Sequence, residues 1–226
     1  MAATGQLTVA AILVAAGDGR RLGASAPKAF CVVAGRTLLE HAASRFAVHP
    51  GVRDLVIVAP PSLVESAAAL APTADVVPGG PTRQESVARG IAVLADDVDT
   101  VLVHDVARPF VPADVITRVL AALRGGADAV VPALAITDTV KRVDLSGEVA
   151  ETIDRISLRA VQTPQGFRRS VLADAHAAGA GGMAVSDDAS LAEARGVRVV
   201  VVEGADESFK ITRPWDLALA ELVAAR

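Results

Sequence analysis

The sequence predicts an α/β fold: a three-layer sandwich with a mostly parallel sheet, helices on both faces, and a protruding β-hairpin arm. Three observations carry this reading. Short apolar runs alternate with helix-length amphipathic segments, which is the rhythm of βαβ units. The chain is 52% hydrophobic but only 3% aromatic, so its core is Ala, Val, Leu and Ile, as strands covered on both faces require. One stretch, residues 136–157, breaks the rhythm and alternates apolar with polar residues instead. The 226 residues suffice for one large domain. The chain is read as a single domain over residues 1–226, with the arm at about 136–157.

Taken in order, residues 7–14 form the first strand, an apolar run that passes directly into glycines. Thr37 to Ala47 reads as a helix, with Thr37 as N-cap and Glu40 three residues on, a capping box. Asp54 to Ala59 is the second strand. Ser62 caps a short helix that stops before Pro72. Residues 74–77 are a third strand, and 82–95 a helix with Val87, Ile91 and Leu94 on one face. Thr100 to Val103 is a buried strand ending in His104-Asp105. A helix at 113–124 closes on Gly125-Gly126, before a strand at 127–131. In the arm, Thr139 to Val143 turns at Ser146-Gly147 and returns through Val149 to Ile153. A two-stranded ribbon is marginal alone, so the arm is expected to pack on a second subunit. Helices at 168–178, 187–195 and 214–225 and a strand at 197–202 complete the chain.

Net charge is −4, which argues against a nucleic-acid partner, since that needs a basic face. Cys31 is the only cysteine, so no intrachain disulfide forms and a reducing, cytoplasmic location is expected. No apolar run is long enough for a membrane span, and no signal-type segment opens the chain.

Ligands of parallel sheets bind at the carboxyl ends of the strands, and the motifs fall there. After the first strand comes Ala15-Ala16-Gly17-Asp18-Gly19-Arg20-Arg21-Leu22, followed by Pro27-Lys28. Glycines let backbone N–H groups press on an anion, and Arg21 and Lys28 supply fixed positive charge, so the loop suits a polyphosphate. All but three of the 22 basic residues are arginine. Lys28 and Lys210 therefore place a compact ammonium where a phosphate oxygen would be met. Leu22 stands where a dinucleotide fingerprint needs its third glycine, and no Gly-Lys-Ser/Thr ends the loop as in a Walker A motif. Asp105 at the end of a buried strand costs desolvation unless it pairs with a cation or ligates a metal. It is the candidate ligand for Mg²⁺ or another hard divalent ion; its alternative is an ion pair with Arg108. Asp206 is open as a second carboxylate. Asp187 and Asp188 read as a helix N-terminal pair.

The ordered set Ala15-Ala16-Gly17-x-Gly19-x-Arg21-Leu22, Pro27-Lys28, Gly79-Gly80, Arg83-x-x-Ser86-Val87, His104-Asp105-x-Ala107-Arg108-Pro109, Asp138-Thr139, Asp154-Arg155, Thr163-Pro164-Gln165 and Lys210-Ile211-Thr212-Arg213-Pro214 spans nearly the whole chain. It resembles the 2-C-methyl-D-erythritol 4-phosphate cytidylyltransferase family. The resemblance implies a Rossmann-like nucleotidyltransferase domain that dimerises through its arm. The implied reaction transfers CMP from CTP to 2-C-methyl-D-erythritol 4-phosphate and releases pyrophosphate. By the same resemblance Arg21 and Lys28 stabilise the transition state, and Asp105 holds Mg²⁺. Ala15, Ala16, Gly80 and Ser86 line the cytosine pocket, with Gly17 and Gly19 at the phosphates. Arg108, Thr139, Arg155, Thr163, Ser186 and Lys210 surround the methylerythritol phosphate, with Thr139 and Arg155 reaching the partner's site. Ser186 stands for an expected threonine, Pro81 for a common acidic residue, and Val106 for a usual alanine.

The nearest rival is a ribitol 5-phosphate cytidylyltransferase, whose acceptor is also a polyol phosphate. A nicotinamide-dependent oxidoreductase is disfavoured by Leu22 and by the absence of an acidic residue after the second strand. A nucleotide-sensing module without activity is disfavoured by Arg21, Lys28 and Asp105 occurring together.

Overall fold

The structure, a computed structural model, describes residues 7–17, 27–179 and 187–225. Its first half is β1 (Val9–Val14), a small ribbon of β2 (Val32–Val33) and β3 (Arg36–Thr37), α1 (Leu38–Ala47), β4 (Asp54–Ala59), α2 (Val64–Leu70), β5 (Asp75–Pro78), α3 (Arg83–Ala92) and β6 (Thr100–Asp105). The second half is α4 (Ala113–Arg124), β7 (Ala129–Ala135), β8 (Val140–Val143), β9 (Val149–Ile153), β10 (Arg159–Val161), β11 (Gln165–Arg168), α5 (Arg169–Gly179), α6 (Asp188–Glu193), β12 (Val199–Glu203) and α7 (Pro214–Ala224).

The sheet runs β10–β7–β11–β6–β1–β4–β5, with β12 on the other side of β7. The pairings β1–β4, β1–β6, β4–β5 and β7–β12 are parallel. β11 lies antiparallel between β6 and β7, and β10 continues along β7 in the same sense. The sheet is thus mostly parallel, but an antiparallel strand that the sequence rhythm did not announce sits at its centre.

Period-two alternation sends side chains to both faces. On one, Ala11 and Leu13 of β1 pack with Leu39 and Phe46 of α1 and with Ile116 and Leu120 of α4, all fully buried. On the other, Ala10 and Ile12 pack with Val87 of α3, Leu172 of α5 and Ala192 of α6. These two cores make the three layers. The capping box at Thr37 and Glu40 is formed, and an equivalent one joins Thr82 to Glu85 at the start of α3.

β8 and β9 form a separate two-stranded sheet, with Val140 opposite Ile153. Its turn is closed by Asp144, whose Oδ1 accepts the N–H groups of Ser146 at 2.9 Å and Glu148 at 3.0 Å, with Gly147 at φ +89°. No described helix is long and apolar enough to cross a membrane.

Candidate active site

The parallel strands end together at one edge of the sheet, and a cavity of about 590 Å³ opens there. Its first wall is the end of β1: Ala15, Ala16 and Gly17. Ala15 is held by its N–H to Val58 O at 2.9 Å. The facing wall is the turn after β5. A Cβ on Gly79 would lie 2.5 Å from the Cβ of Ala16, so only glycine lets the two strand ends come this close. Gly80 donates its N–H to Ser86 Oγ at 3.1 Å, and that hydroxyl bonds Thr82 O at 2.9 Å. The capped start of α3 thus fixes the Gly80 turn against the cavity.

The floor comes from β6. His104 is fully buried, and its ring Nε2 faces Arg108 O at 3.1 Å. A carbonyl only accepts, so Nε2 carries the proton and Nδ1 is the acceptor. Nδ1 meets the Thr163 hydroxyl at 3.0 Å, and the same oxygen accepts the Asp105 N–H at 3.1 Å. Burial lowers the His104 pKa to about 4, so the imidazole is neutral. Thr163 is itself buried and acts beneath Asp105 rather than on the cavity surface.

Asp105 is the acidic residue among the described lining residues, and both its oxygens face cations. Oδ1 accepts from Arg83 Nε at 3.1 Å and Oδ2 from Lys210 Nζ at 2.6 Å. Burial works to raise the Asp105 pKa, but Arg83 and Lys210 outweigh it and hold the carboxyl well below the usual carboxylate range. The ion-pair partners are therefore Arg83 and Lys210, not Arg108. Arg108 donates Nη1 to Ser208 O at 2.7 Å and Nη2 to Val161 O at 3.2 Å, so its fork ties the 208 turn to the end of β10. Burial lowers its pKa, against the pull of Asp105.

Lys28 lines the cavity and donates Nζ to Ile211 O at 2.8 Å. Ile211 is fully buried, and its N–H bonds Ala107 O at 2.8 Å. This anchor ties Lys28 to the backbone of the residue that follows Lys210. Arg83 and Lys210 thus meet one carboxylate in a cavity that Lys28 also lines, an arrangement that attracts and orients an anion.

Of the sequence-predicted residues, Ala15, Ala16, Gly17, Lys28, Gly80, Ser86, Asp105 and Lys210 line this cavity. Thr163 and Arg108 support it from behind. Thr139 and Arg155 lie exposed on the arm and its base, and Arg155 Nη1 bonds Thr137 O. Gly19, Arg21 and Ser186 lie outside the described residues. Asp206 lies on a second cavity, of about 950 Å³, between the base of the arm and β12, with Thr137, Arg159 and Val202.

Sequence reasoning gave no role to Arg83 and read Asp188 only as half of a helix N-terminal pair. Arg83 Nη1 reaches Asp188 Oδ2 at 2.7 Å, and His176 Nε2 meets Asp188 Oδ1 at 2.9 Å. Arg83 directly follows the Thr82 cap, and the Thr82-x-x-Glu85 spacing is a local signal that marks it as the head of a helix. Asp187 is the N-cap of α6, as its position suggests, through Ser190 N–H at 3.0 Å.

A family described as 2-C-methyl-D-erythritol 4-phosphate cytidylyltransferase matches residues 9–226. A protein of that description from Streptomyces avermitilis is 50% identical, over 96% of this chain and 92% of its own. One from Frankia casuarinae is 48% identical, over 96% and 82%. The crystal structure of 2-C-methyl-D-erythritol 4-phosphate cytidylyltransferase from Thermus thermophilus superimposes with a TM-score of 0.81 at 39% identity, covering 95% of this chain and 98% of that one. The 4-diphosphocytidyl-2C-methyl-D-erythritol synthase of Anaerococcus prevotii gives 0.87 at 27% identity, over 98% and 97%.

Proposed function

We infer the division of labour in this site from one premise: the chain belongs to the 2-C-methyl-D-erythritol 4-phosphate cytidylyltransferase family. It transfers the CMP moiety of CTP to 2-C-methyl-D-erythritol 4-phosphate, giving 4-diphosphocytidyl-2-C-methyl-D-erythritol and pyrophosphate in non-mevalonate isoprenoid synthesis. The observation that carries the proposed roles is the pairing of Asp105 with Arg83 and Lys210 in a cavity at the strand ends that Lys28 also lines.

The base sits between Ala15–Ala16 and Gly80–Ser86, where the walls are close and lined by small groups. The triphosphate runs toward Lys28, with Gly17, Gly19 and Arg21 along it. The acceptor's phosphate is already ionised at neutral pH, so no general base is needed. Its oxygen attacks the α-phosphorus in line with departing pyrophosphate. Such a transfer asks the protein for positioning and charge stabilisation. Lys28 and Arg21 act on the charge that grows at the α-phosphate and leaving group. Lys210 moves from Asp105 to the acceptor's phosphate, which Ser186 also serves, while Arg108 and Thr163 hold the backbone around it.

Asp105 fits a hard divalent ion such as Mg²⁺. Its carboxyl is ionised and stands at the cavity wall, and Mg²⁺ binds through one or two carboxylates plus substrate phosphates. When bound, the ion neutralises phosphate charge.

The protein works as a single-domain, cytoplasmic homodimer. The arm exposes Val143, Leu145 and Val149, and Ile156 at its base is 80% exposed, a surface that water disfavours. Thr139 and Arg155 line no part of the cavity in their own chain, which supports their serving the partner's site. Ultracentrifugation should show a dimer that loses its stability when residues 140–153 are replaced by a short turn.

Pyrophosphate release with each of the four nucleoside triphosphates and 2-C-methyl-D-erythritol 4-phosphate tests the reaction, with ribitol 5-phosphate in parallel. Turnover with CTP and methylerythritol phosphate is expected. Preference for ribitol 5-phosphate would overturn the acceptor assignment.

A further inference from the structure

Asp188 and His176 are both nearly inaccessible, with side chains 1% and 4% exposed, and neither lines the catalytic cavity. A buried carboxylate is expensive to desolvate and persists only when its oxygens are engaged. His176 Nε2 takes Oδ1, and Arg83 Nη1 takes Oδ2. Arg83 then spans to the cavity, where its Nε holds Asp105 Oδ1. One guanidinium is thereby gripped at two of its donors by carboxylates on different elements, α6 and β6. The three helices that make this possible approach closely. A Cβ on Gly179, the last residue of α5, would lie 2.7 Å from Gln84 Nε2 of α3 and 2.7 Å from Leu191 Cδ2 of α6.

We propose that Asp188, backed by His176, is a positioning residue for the nucleotidyl transfer: it locks Arg83 in the cavity wall, so that Arg83 keeps one oxygen of Asp105 while Lys210 alone attends the other. The inference rests on the reading of Asp105 and Lys210 as parts of the transfer site. The arrangement separates two cations by mobility. Arg83 is fixed from behind, and its rotamer freedom is already spent before substrate arrives. Lys210 is 39% exposed and meets Asp105 through Nζ only, so it can turn to an incoming phosphate without leaving Asp105 unpaired. Without Asp188, Arg83 is free to fold onto both oxygens of Asp105, and the fork geometry of Arg favours such bidentate pairing. The carboxylate would then be closed to other partners.

A double-mutant cycle tests this, with wild type, Asp188→Asn, Arg83→Gln and the double variant assayed for pyrophosphate release from CTP and methylerythritol phosphate. Thermal melts of each confirm folding. Asp188→Asn should lower kcat by about 10–100-fold, the scale of a buried charge-assisted hydrogen bond. In the Arg83→Gln background the same change should alter kcat by less than about twofold, since Asp188 acts through Arg83. Wild-type kcat in Asp188→Asn, or losses that multiply in full in the double variant, would overturn the proposal. Should Asp188→Asn not fold, His176→Asn is carried through the same cycle and judged by the same two outcomes. An inactive wild type would instead sink the reading of the site on which the proposal rests.

Discussion

Replacing Thr163 with valine removes one oxygen and keeps the side-chain shape. That oxygen accepts the Asp105 N–H at 3.1 Å and bonds His104 Nδ1 at 3.0 Å, in a residue only 5% exposed. Neither orphaned group has water to turn to. Each buried unsatisfied partner costs about 1–3 kcal/mol, so Thr163→Val should lose about 2–6 kcal/mol of stability. In a chain of this size each kcal/mol moves the melting temperature by about 2–4 °C, giving a fall of roughly 4–24 °C. Urea titrations should show a lower midpoint with an unchanged slope, the sign of lost stability without a changed unfolded state. Because the hydroxyl sits under the backbone of Asp105, kcat should fall with the stability, while Thr163→Ser, which restores the oxygen, should recover most of both. A valine variant within about 0.5 kcal/mol of wild type, the range of ordinary surface substitutions, would refute the reasoning that this hydroxyl carries two buried hydrogen bonds.

Three further outcomes are expected. Lys28→Ala should cut turnover by about 10²–10³-fold, as loss of one transition-state donor does, with a much smaller effect on CTP affinity by calorimetry; near-normal turnover would remove Lys28 from the chemistry. Arg155→Ala should raise the apparent KM for methylerythritol phosphate with little change in that for CTP, and mixing these chains with Lys28→Ala chains should regenerate activity if sites are shared across the dimer; an unchanged KM would mean that the arm does not reach the acceptor. His104 titrates near pH 4 in the fold against 6.5 ordinarily. Above pH 6.5 neither state binds its proton and its contribution is complete. As pH falls from 6.5 toward 4, the unfolded chain takes up a proton that the folded chain refuses, and stability drops by about 1.4 kcal/mol per pH unit. Denaturation at pH 7 and pH 5 should therefore show a steeper loss for wild type than for His104→Gln; equal losses would contradict a buried neutral histidine.

What could be read from the residues alone was whatever the chain repeats locally. β1, β4 and β6 are each built on an apolar run, and Thr37-x-x-Glu40 states a helix start in four letters. The glycine at 79 and the alanine at 16 lie in loops that the ordered motifs marked, although their 2.5 Å constraint involves residues more than sixty positions apart. β11 was not legible. It has four residues, one of them polar and fully buried and one a glycine, so it carries neither period nor β-branched bias. Gly166 is needed there because a Cβ would lie 2.5 Å from Val119 Cγ1 of α4, a packing demand without local signature.

The same divide runs through the active site. Asp105, Lys28 and Lys210 stood out because charge at the end of an apolar strand, and scarce lysines among arginines, are properties of the sequence itself. Which cation meets which oxygen was settled only when β6, α3 and the segment around Ile211 converged, pairing Asp105 with Arg83 and Lys210 and sending Arg108 to backbone carbonyls. Ion pairs form between whichever charges the packing brings within about 3 Å, and a buried carboxylate such as Asp188 takes the partner that desolvation forces on it. Composition and periodicity determined the layers and the edge where chemistry occurs, because hydrophobic burial acts through local patterns. The wiring of that edge belonged to contacts between distant residues, which only the tertiary fold decides.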